Sequence, residues 1–328
     1  MTGSVESVEV VMRKLRIRSC TVVATLAALS SIWLPDLVFG APAQRREPFR
    51  VEVEAVNVLV TVHDDKTGKF VTDLTQDDFR IVEDGVLQSI TNFEKETNLP
   101  LTIALAIDTS SSVKLKLDFE KEAALDFLYS VMRPTDRALL VEFDSGVTLL
   151  QDFSSDPNDL ARELKNVRAG GGTSLHDAIY LVCEQKLLEA DSGRKIVVIL
   201  SDGADVTSTH TYDEALDMAL RAEATLYAIS TTKFGADIDH EGDNLLKQLT
   251  ENTGGRTFFP FSNKELAKAF ESINEELRSQ YNLTYIPRNK MRHGEFRNIK
   301  VEVHRGDVKI RHRKGYFAKP LGAASEGN

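Results

Sequence analysis

The spacing of apolar residues changes twice along the chain. Over residues 51–93 they alternate with polar ones. Val51, Val53, Val56, Val58, Val60 and Val62 keep a near period of two with one slip, which predicts a strand with one buried face. Residues 63–70, HDDKTGKF, read as a turn punctuated by Gly68. Residues 79–93 read as two strands around Asp84-Gly85, a dipeptide that accepts the left-handed backbone of a tight hairpin. From Leu101 the alternation stops. LTIALAI, RALLVEF, KIVVIL and TLYAIS are unbroken apolar runs, as expected of strands covered on both faces. Between them apolar residues recur at three and four: Ala124, Phe127, Leu128, Val131 and Met132; Leu175, Ala178, Ile179 and Val182; Leu266, Phe270, Ile273 and Leu277. Strand and helix thus alternate, which predicts an α/β fold with a doubly wound, mostly parallel sheet. VTLLQDF follows VEFDSG after a tight turn, too soon for a crossover, so it is expected as one antiparallel edge strand.

From Gln280 the period of two returns, through Tyr281, Leu283 and Tyr285, then Ile299, Val301 and Val303, then Val308 and Ile310. These strands are too few to stand alone. They are expected to pack with the strands of residues 47–97, forming a small β-sandwich-like module built from the N- and C-terminal flanks. The α/β domain, residues 98–279, would then be inserted between its halves, with the returning strands at 280–318. The small, polar tail at 319–328 is expected to lack order.

The N-terminal segment has the composition of a targeting sequence. Arg13, Lys14, Arg16 and Arg18 precede an uncharged, mostly apolar run from Cys20 to Leu34, and Ala41-Pro42-Ala43 offers a small-x-small cleavage site. Residues 1–43 are therefore read as a secretory signal, with translation expected to start at Met12, because the preceding residues carry Glu6 and Glu9 and no basic residue. A secreted or periplasmic location follows. Membrane association is expected only if the signal stays uncleaved. Cleavage would leave Cys183 as the one cysteine, so the core must form without an internal disulfide.

The 328 residues carry 42% hydrophobic and 27% charged residues, ordinary for a globular protein, and a formal net charge of −10. That charge argues against a nucleic-acid partner, which needs clustered Lys and Arg.

In a parallel sheet of this kind ligands bind beyond the C-terminal ends of the strands. Reading each strand at its exit gives Asp108-Thr109-Ser110-Ser111-Ser112 after the first, Ser201-Asp202-Gly203 after a later one, and Thr173 after Gly170, Gly171 and Gly172 in a loop entering a helix. Two carboxylates and three hydroxyls form a hard-oxygen set suited to a divalent cation such as Mg²⁺, which keeps several waters. Asp144 and Asp177 sit near the same rim and are candidates for orienting a ligand or water. A turn or helix cap is an equal reading for Asp144. His176 is read as a rim side chain rather than a ligand.

Asp108, Ser110, Ser112, Thr173 and Asp202 together resemble the metal-ion-dependent adhesion site (MIDAS) of von Willebrand factor type A domains, over roughly residues 97–280. The flanks, with a signal, a β segment and the ending Gly315-Tyr316-Phe317, resemble the related secreted family first described in Acidobacteria. The resemblance implies Mg²⁺ or Mn²⁺ as cofactor, a protein partner supplying a carboxylate, and no catalysis. In several members ligand capture is coupled to movement of the last helix. The function expected is an exported, metal-dependent protein-binding or adhesion module. The alternative is a non-catalytic scaffold or assembly factor of the cell envelope. A hydrolase using Ser110, His176 and Asp202 is a weaker reading, since no Gly-x-Ser-x-Gly elbow surrounds Ser110. Arg305-Gly306-Asp307 is read as a turn between strands rather than a receptor motif.

Overall fold

The computed structural model describes residues 55–95, 99–190, 193–232, 240–288 and 294–318. The segment read as a signal, Val51, Val53 and the tail at 319–328 lie outside those residues.

The first strand, β1 (Val56–Asp64), buries Val56, Val58, Val60 and Val62 on one face, as their spacing requires. β2 (Phe79–Glu83) and β3 (Val86–Gln88) pair around Asp84 and Gly85, whose φ values of 45° and 80° are those of a tight hairpin turn. The chain then bends at Ser89, and β4 (Ile90–Lys95) joins a different sheet. The stretch read as two strands therefore holds three. The bend is held from Arg288, whose backbone N–H donates to Gln88 Oε1 at 3.0 Å and whose side chain reaches the Ser89 hydroxyl.

The α/β domain contains β5 (Leu101–Asp108), β6 (Arg137–Phe143), β7 (Val147–Ser154), β8 (Arg194–Ser201), β9 (Ala224–Ser230) and β10 (Thr257–Phe258), in the order β10-β9-β8-β5-β6-β7. All neighbours pair in parallel except β7, which runs antiparallel to β6 at the edge. The helices are α1 (Leu117–Val131), α2 (Pro157–Leu164), α3 (Leu175–Val182), α4 (Tyr212–Arg221), α5 (His240–Thr253) and α6 (Asn263–Arg278). α1, α2 and α6 pack on the face carrying Leu101, Ile103, Leu105 and Ile107. α3, α4 and α5 pack on the face carrying Ala104 and Ala106. Both faces of β5 are thus covered, which accounts for a strand buried at every position. The fold is a doubly wound α/β sheet with one antiparallel edge strand.

Four more strands follow: β11 (Tyr281–Tyr285), β12 (Phe296–Val303), β13 (Val308–Arg311) and β14 (Gly315–Phe317). They interleave with the first four in two sheets, β13-β1-β11-β4 and β14-β12-β2-β3. One core serves both, with Val58, Val60, Ile81, Leu283, Tyr285 and Val301 at its centre. Arg305-Gly306-Asp307 lies in the turn between β12 and β13, with Arg305 paired to Asp73 and Asp307 to Lys66.

A polar seam joins this β module to the α/β domain. Glu276, near the end of α6, is fully buried. Its Oε1 accepts hydrogen bonds from Thr61 Oγ1 of β1 at 3.2 Å and from the Tyr227 hydroxyl of β9 at 3.1 Å, while Arg311 of β13 donates to Oε2. Gln280 donates to Thr61 and Tyr227 and accepts from Arg194 Nη2 at 3.0 Å. Burial and the adjoining Glu276 charge push the Tyr227 hydroxyl pKa well up, so it remains a donor.

Candidate metal centre

The strand order reverses between β5 and β8: the chain leaves β5 for β6 and β7, then returns to the other side at β8. The crevice beyond two such strands is where doubly wound sheets place ligands. Asp108 closes β5, and Ser201 closes β8 with Asp202 immediately after it.

Asp108 is fully buried, and both its oxygens are engaged. Oδ1 accepts from the Ser110 backbone N–H at 2.8 Å, and Oδ2 accepts from Ser201 Oγ at 2.7 Å. Burial pushes its carboxyl up to about 6, against these hydrogen bonds, which favour the charged form. Beyond Ser110 a short 3-10 turn, Ser111–Val113, swings the chain toward α1 and leaves Ser112 exposed. Ser110 Oγ and Ser112 Oγ lie 2.9 Å apart, and Ser112 Oγ donates to Asp202 Oδ2 at 2.8 Å. Asp202 Oδ1 accepts from the Ala204 N–H at 3.1 Å. Gly203 lets the chain turn away here: at φ +82°, a Cβ would lie 2.3 Å from the Gly242 carbonyl oxygen.

The glycine loop closes the rim from the side. Gly170 N–H donates to Thr109 O at 2.7 Å, and Gly171 O accepts from Ser111 Oγ at 3.0 Å. Thr173 is buried, and its carbonyl accepts from Val206 and Thr207 N–H at 2.9 and 3.0 Å, tying its loop to the one that follows Asp202. The structure therefore links Asp108, Ser110, Ser112 and Asp202 through side-chain and backbone hydrogen bonds, and places Thr173 on a loop bonded to both of theirs.

The other nominated acids are engaged differently. Asp144 Oδ1 accepts from Gly146 N–H at 3.1 Å, a turn-type bond, and its Oδ2 faces Gly171. Asp177 binds the loop before α4, accepting from the backbone N–H groups of Thr209 at 3.0 Å and His210 at 2.8 Å. Partial burial raises the Asp177 pKa, but the bonds from His210 and Thr209 outweigh it and hold the carboxyl below its usual range. His176 is buried, with Nδ1 3.1 Å from Asp205 Oδ2. Cys183 is fully buried, and desolvation pushes its thiol up to about 12, leaving it inert.

Two residues that the sequence did not single out as site residues belong to this region. Ser201 is the donor to Asp108, and its place as the last residue of a strand was the available clue. Glu120 is buried in the first turn of α1, at i−4 from Ala124 and i−7 from Phe127, so it is an acid on the apolar stripe of its helix. Burial, then the nearby charge of Asp108, pushes its carboxyl up to about 8.

The donor set suits a hard cation. Oxygens adjacent in an octahedron around Mg²⁺, at its usual bond length, stand about 2.9 Å apart. Ser110 Oγ, Ser112 Oγ and Asp202 Oδ2 follow one another at 2.9 and 2.8 Å. Among the described residues no three His, Cys, Asp or Glu side chains are grouped to hold a metal, so a cation here would rely on two carboxylates, on hydroxyls and on water.

Residues 103–204 match the family model of the von Willebrand factor type A domain. The chain therefore carries such a domain, and the matched stretch runs from β5 past Asp202. Solved structures with similar folds include a von Willebrand factor type A protein from Catenulispora acidiphila (12% identity, 83% of this chain and 76% of that one, TM-score 0.48). Others are the PilB minor pilin from Streptococcus sanguinis (14%, 56% and 62%, 0.45) and proximal thread matrix protein 1 of the mussel byssus with a zinc-occupied MIDAS motif (16%, 58% and 48%, 0.47). This chain spans 62% of the length of the pilin. No curated protein sequence matches.

Proposed function

We propose that the chain is an exported, non-enzymatic protein-binding module. In this reading Asp108, Ser110, Ser112, Thr173 and Asp202 hold Mg²⁺ or Mn²⁺ at the rim. The observation that carries the reading is the run of oxygens Ser201–Asp108–Ser110–Ser112–Asp202 at the switch point of the sheet. It passes from full burial at Asp108 to an exposed hydroxyl at Ser112.

Each residue has a distinct task. Asp108 supplies charge from a fixed strand end, held by Ser201 and by its own turn. Ser110 and Ser112 add neutral oxygens, and Asp202 supplies the second charge from the neighbouring strand exit. Gly171 and Gly172 let the Thr173 loop approach its neighbours, since a Cβ on either would lie 2.9 Å from a side chain of the adjoining loops. A bound cation would offer an electrophilic position toward solvent that a partner's carboxylate can fill. With only two protein carboxylates, the ligands no more than balance the charge of the ion, so the cation stays electrophilic toward that group. The non-enzymatic reading is supported by the pairing of Ser110 Oγ with Ser112 and of His176 with Asp205, rather than of Ser110 with His176.

The proposal extends to organisation. The strands of residues 47–97 and 280–318 act as one module into which the α/β domain, 98–279, is inserted, so the last helix leads straight from the rim domain to the seam. Export rests on the pattern of residues 12–43. No helix among the described residues is long and apolar enough to cross a membrane.

Equilibrium dialysis of the full chain with Mg²⁺ and Mn²⁺ tests the site. One ion per chain is expected, and none in Asp108→Ala. Equal uptake by wild type and variant would overturn the assignment.

A further inference from the structure

Glu120 is 2% exposed, and neither of its carboxyl oxygens has a hydrogen-bond partner. A buried, unpartnered acid is costly, and native structures keep few of them. Its helix position does not demand an acid. Leu117, Ala124 and Phe127 share the same buried stripe, and a leucine or methionine would extend it.

The surroundings of Glu120 point to the rim. The charged groups acting on it are Asp108, Lys116 and Asp202. Two of these are the rim carboxylates. Lys116, one turn earlier on the chain, donates from Nζ to Thr231 O at 2.6 Å, and its carbonyl accepts the Glu120 N–H at 3.0 Å. The acid thus lies within electrostatic reach of both rim carboxylates, on a helical turn tied through Lys116 to Thr231, whose N–H in turn donates to Ser201 O at the end of β8.

Direct ligation does not fit, because Asp108, Asp202 and Glu120 are not grouped as three ligands of one ion. An intervening water does. Mg²⁺ keeps several of its waters when bound by one or two carboxylates, and their protons need acceptors. Groups one step beyond the ligands orient them and tune affinity. We infer that Glu120 is a positioning residue of the rim: its unpartnered carboxyl accepts a hydrogen bond from a water on the cation, adding a third acid to a site of two carboxylates. This rests on the proposed metal site, and the test separates the two.

Mg²⁺ affinity of the full chain is measured by titration calorimetry for wild type, Glu120→Gln, Glu120→Asp, Asp118→Asn and Asp108→Ala. Asp118 has a fully exposed side chain two residues away and controls for the loss of one negative charge. Glu120→Gln is expected to weaken Mg²⁺ binding about ten- to a hundredfold. Glu120→Asp should recover part of that loss, Asp118→Asn should stay within about twofold of wild type, and Asp108→Ala should abolish binding. If Asp108→Ala abolishes binding while Glu120→Gln matches wild type, Glu120 has no part in the site and the site assignment stands. Equal weakening by Asp118→Asn and Glu120→Gln would reduce the effect to net charge and overturn the positioning role. Retained binding in Asp108→Ala would overturn both.

Discussion

Glu276 and Glu120 are almost equally buried in the same domain, yet their surroundings differ. Glu276 sits at the seam, where Thr61, Tyr227 and Arg311 satisfy its oxygens from both structural units. Glu120 sits behind the rim, and its oxygens have no partner. A buried charge with a full set of donors fixes how two modules meet. A buried acid without donors stores unmet hydrogen-bonding capacity, which is what a ligand site needs and a structural joint must avoid. On the proposed reading, the contrast separates the end of the sheet that holds the chain together from the end that binds.

Mutations should expose this contrast as effects of opposite sign. The largest effect is expected at the seam. Glu276→Ala strands Arg311 beside a buried cavity and should cost about 3–5 kcal/mol of stability in urea unfolding. A loss under about 1 kcal/mol would show that the seam does not hold the modules together.

At the rim the same class of change should stabilise. Glu120 has its pKa raised from 4.5 to about 8 in the fold. The folded protein therefore binds a proton that the unfolded chain releases above its ordinary pKa. Stability linked to this group is fully present below about 4.5 and is lost as pH rises toward 8. Glu120→Gln removes that loss. In EDTA near neutral pH it should gain about 1–3 kcal/mol, with a flatter stability profile between pH 5 and 8. A destabilised variant would mean that Glu120 has a partner in solution.

A smaller effect tests the turn that aims Asp202. Gly203→Ala places a Cβ against Gly242 at positive φ, and should cost about 1–2 kcal/mol, with reduced Mn²⁺ uptake as Asp202 shifts. Unchanged uptake would mean that the turn does not set the carboxylate's position.

Much of this was legible in the chain. Unbroken apolar runs predicted the buried parallel strands because β5 is covered on both faces, and the tight turn before VTLLQDF predicted the antiparallel edge. The exits of those strands singled out the oxygens that meet at the rim. Three kinds of feature were not legible. β10 and β14 are too short to show a period. The change of sheet at Ser89 depends on Arg288, distant in sequence. Ser201 and Glu120 matter through tertiary neighbours, although an acid on the stripe of Ala124 and Phe127 was a visible departure from pattern.

The mildest effect belongs to the β module. His312 is buried, with Nδ1 2.7 Å from Arg313 O and Nε2 accepting the Val301 N–H at 3.2 Å, an arrangement that needs the neutral ring. Burial lowers its pKa. The fold therefore takes up its proton later than the unfolded chain, and stability present above pH 6.5 is lost as the pH falls through the lowered folded value. Replacing His312 with Gln should remove that acid-side slope in urea titrations between pH 7 and 5. A slope that survives would place its origin elsewhere.

The central claim is that the rim, and not the seam, is the cation site. Anomalous diffraction from crystals grown with Mn²⁺ tests it most directly. One strong peak is expected among the side-chain oxygens of Asp108, Ser110, Ser112, Thr173 and Asp202, with Glu120 one water away. A peak at any other acidic group, or no peak with the rim hydrogen bonds intact, would contradict it.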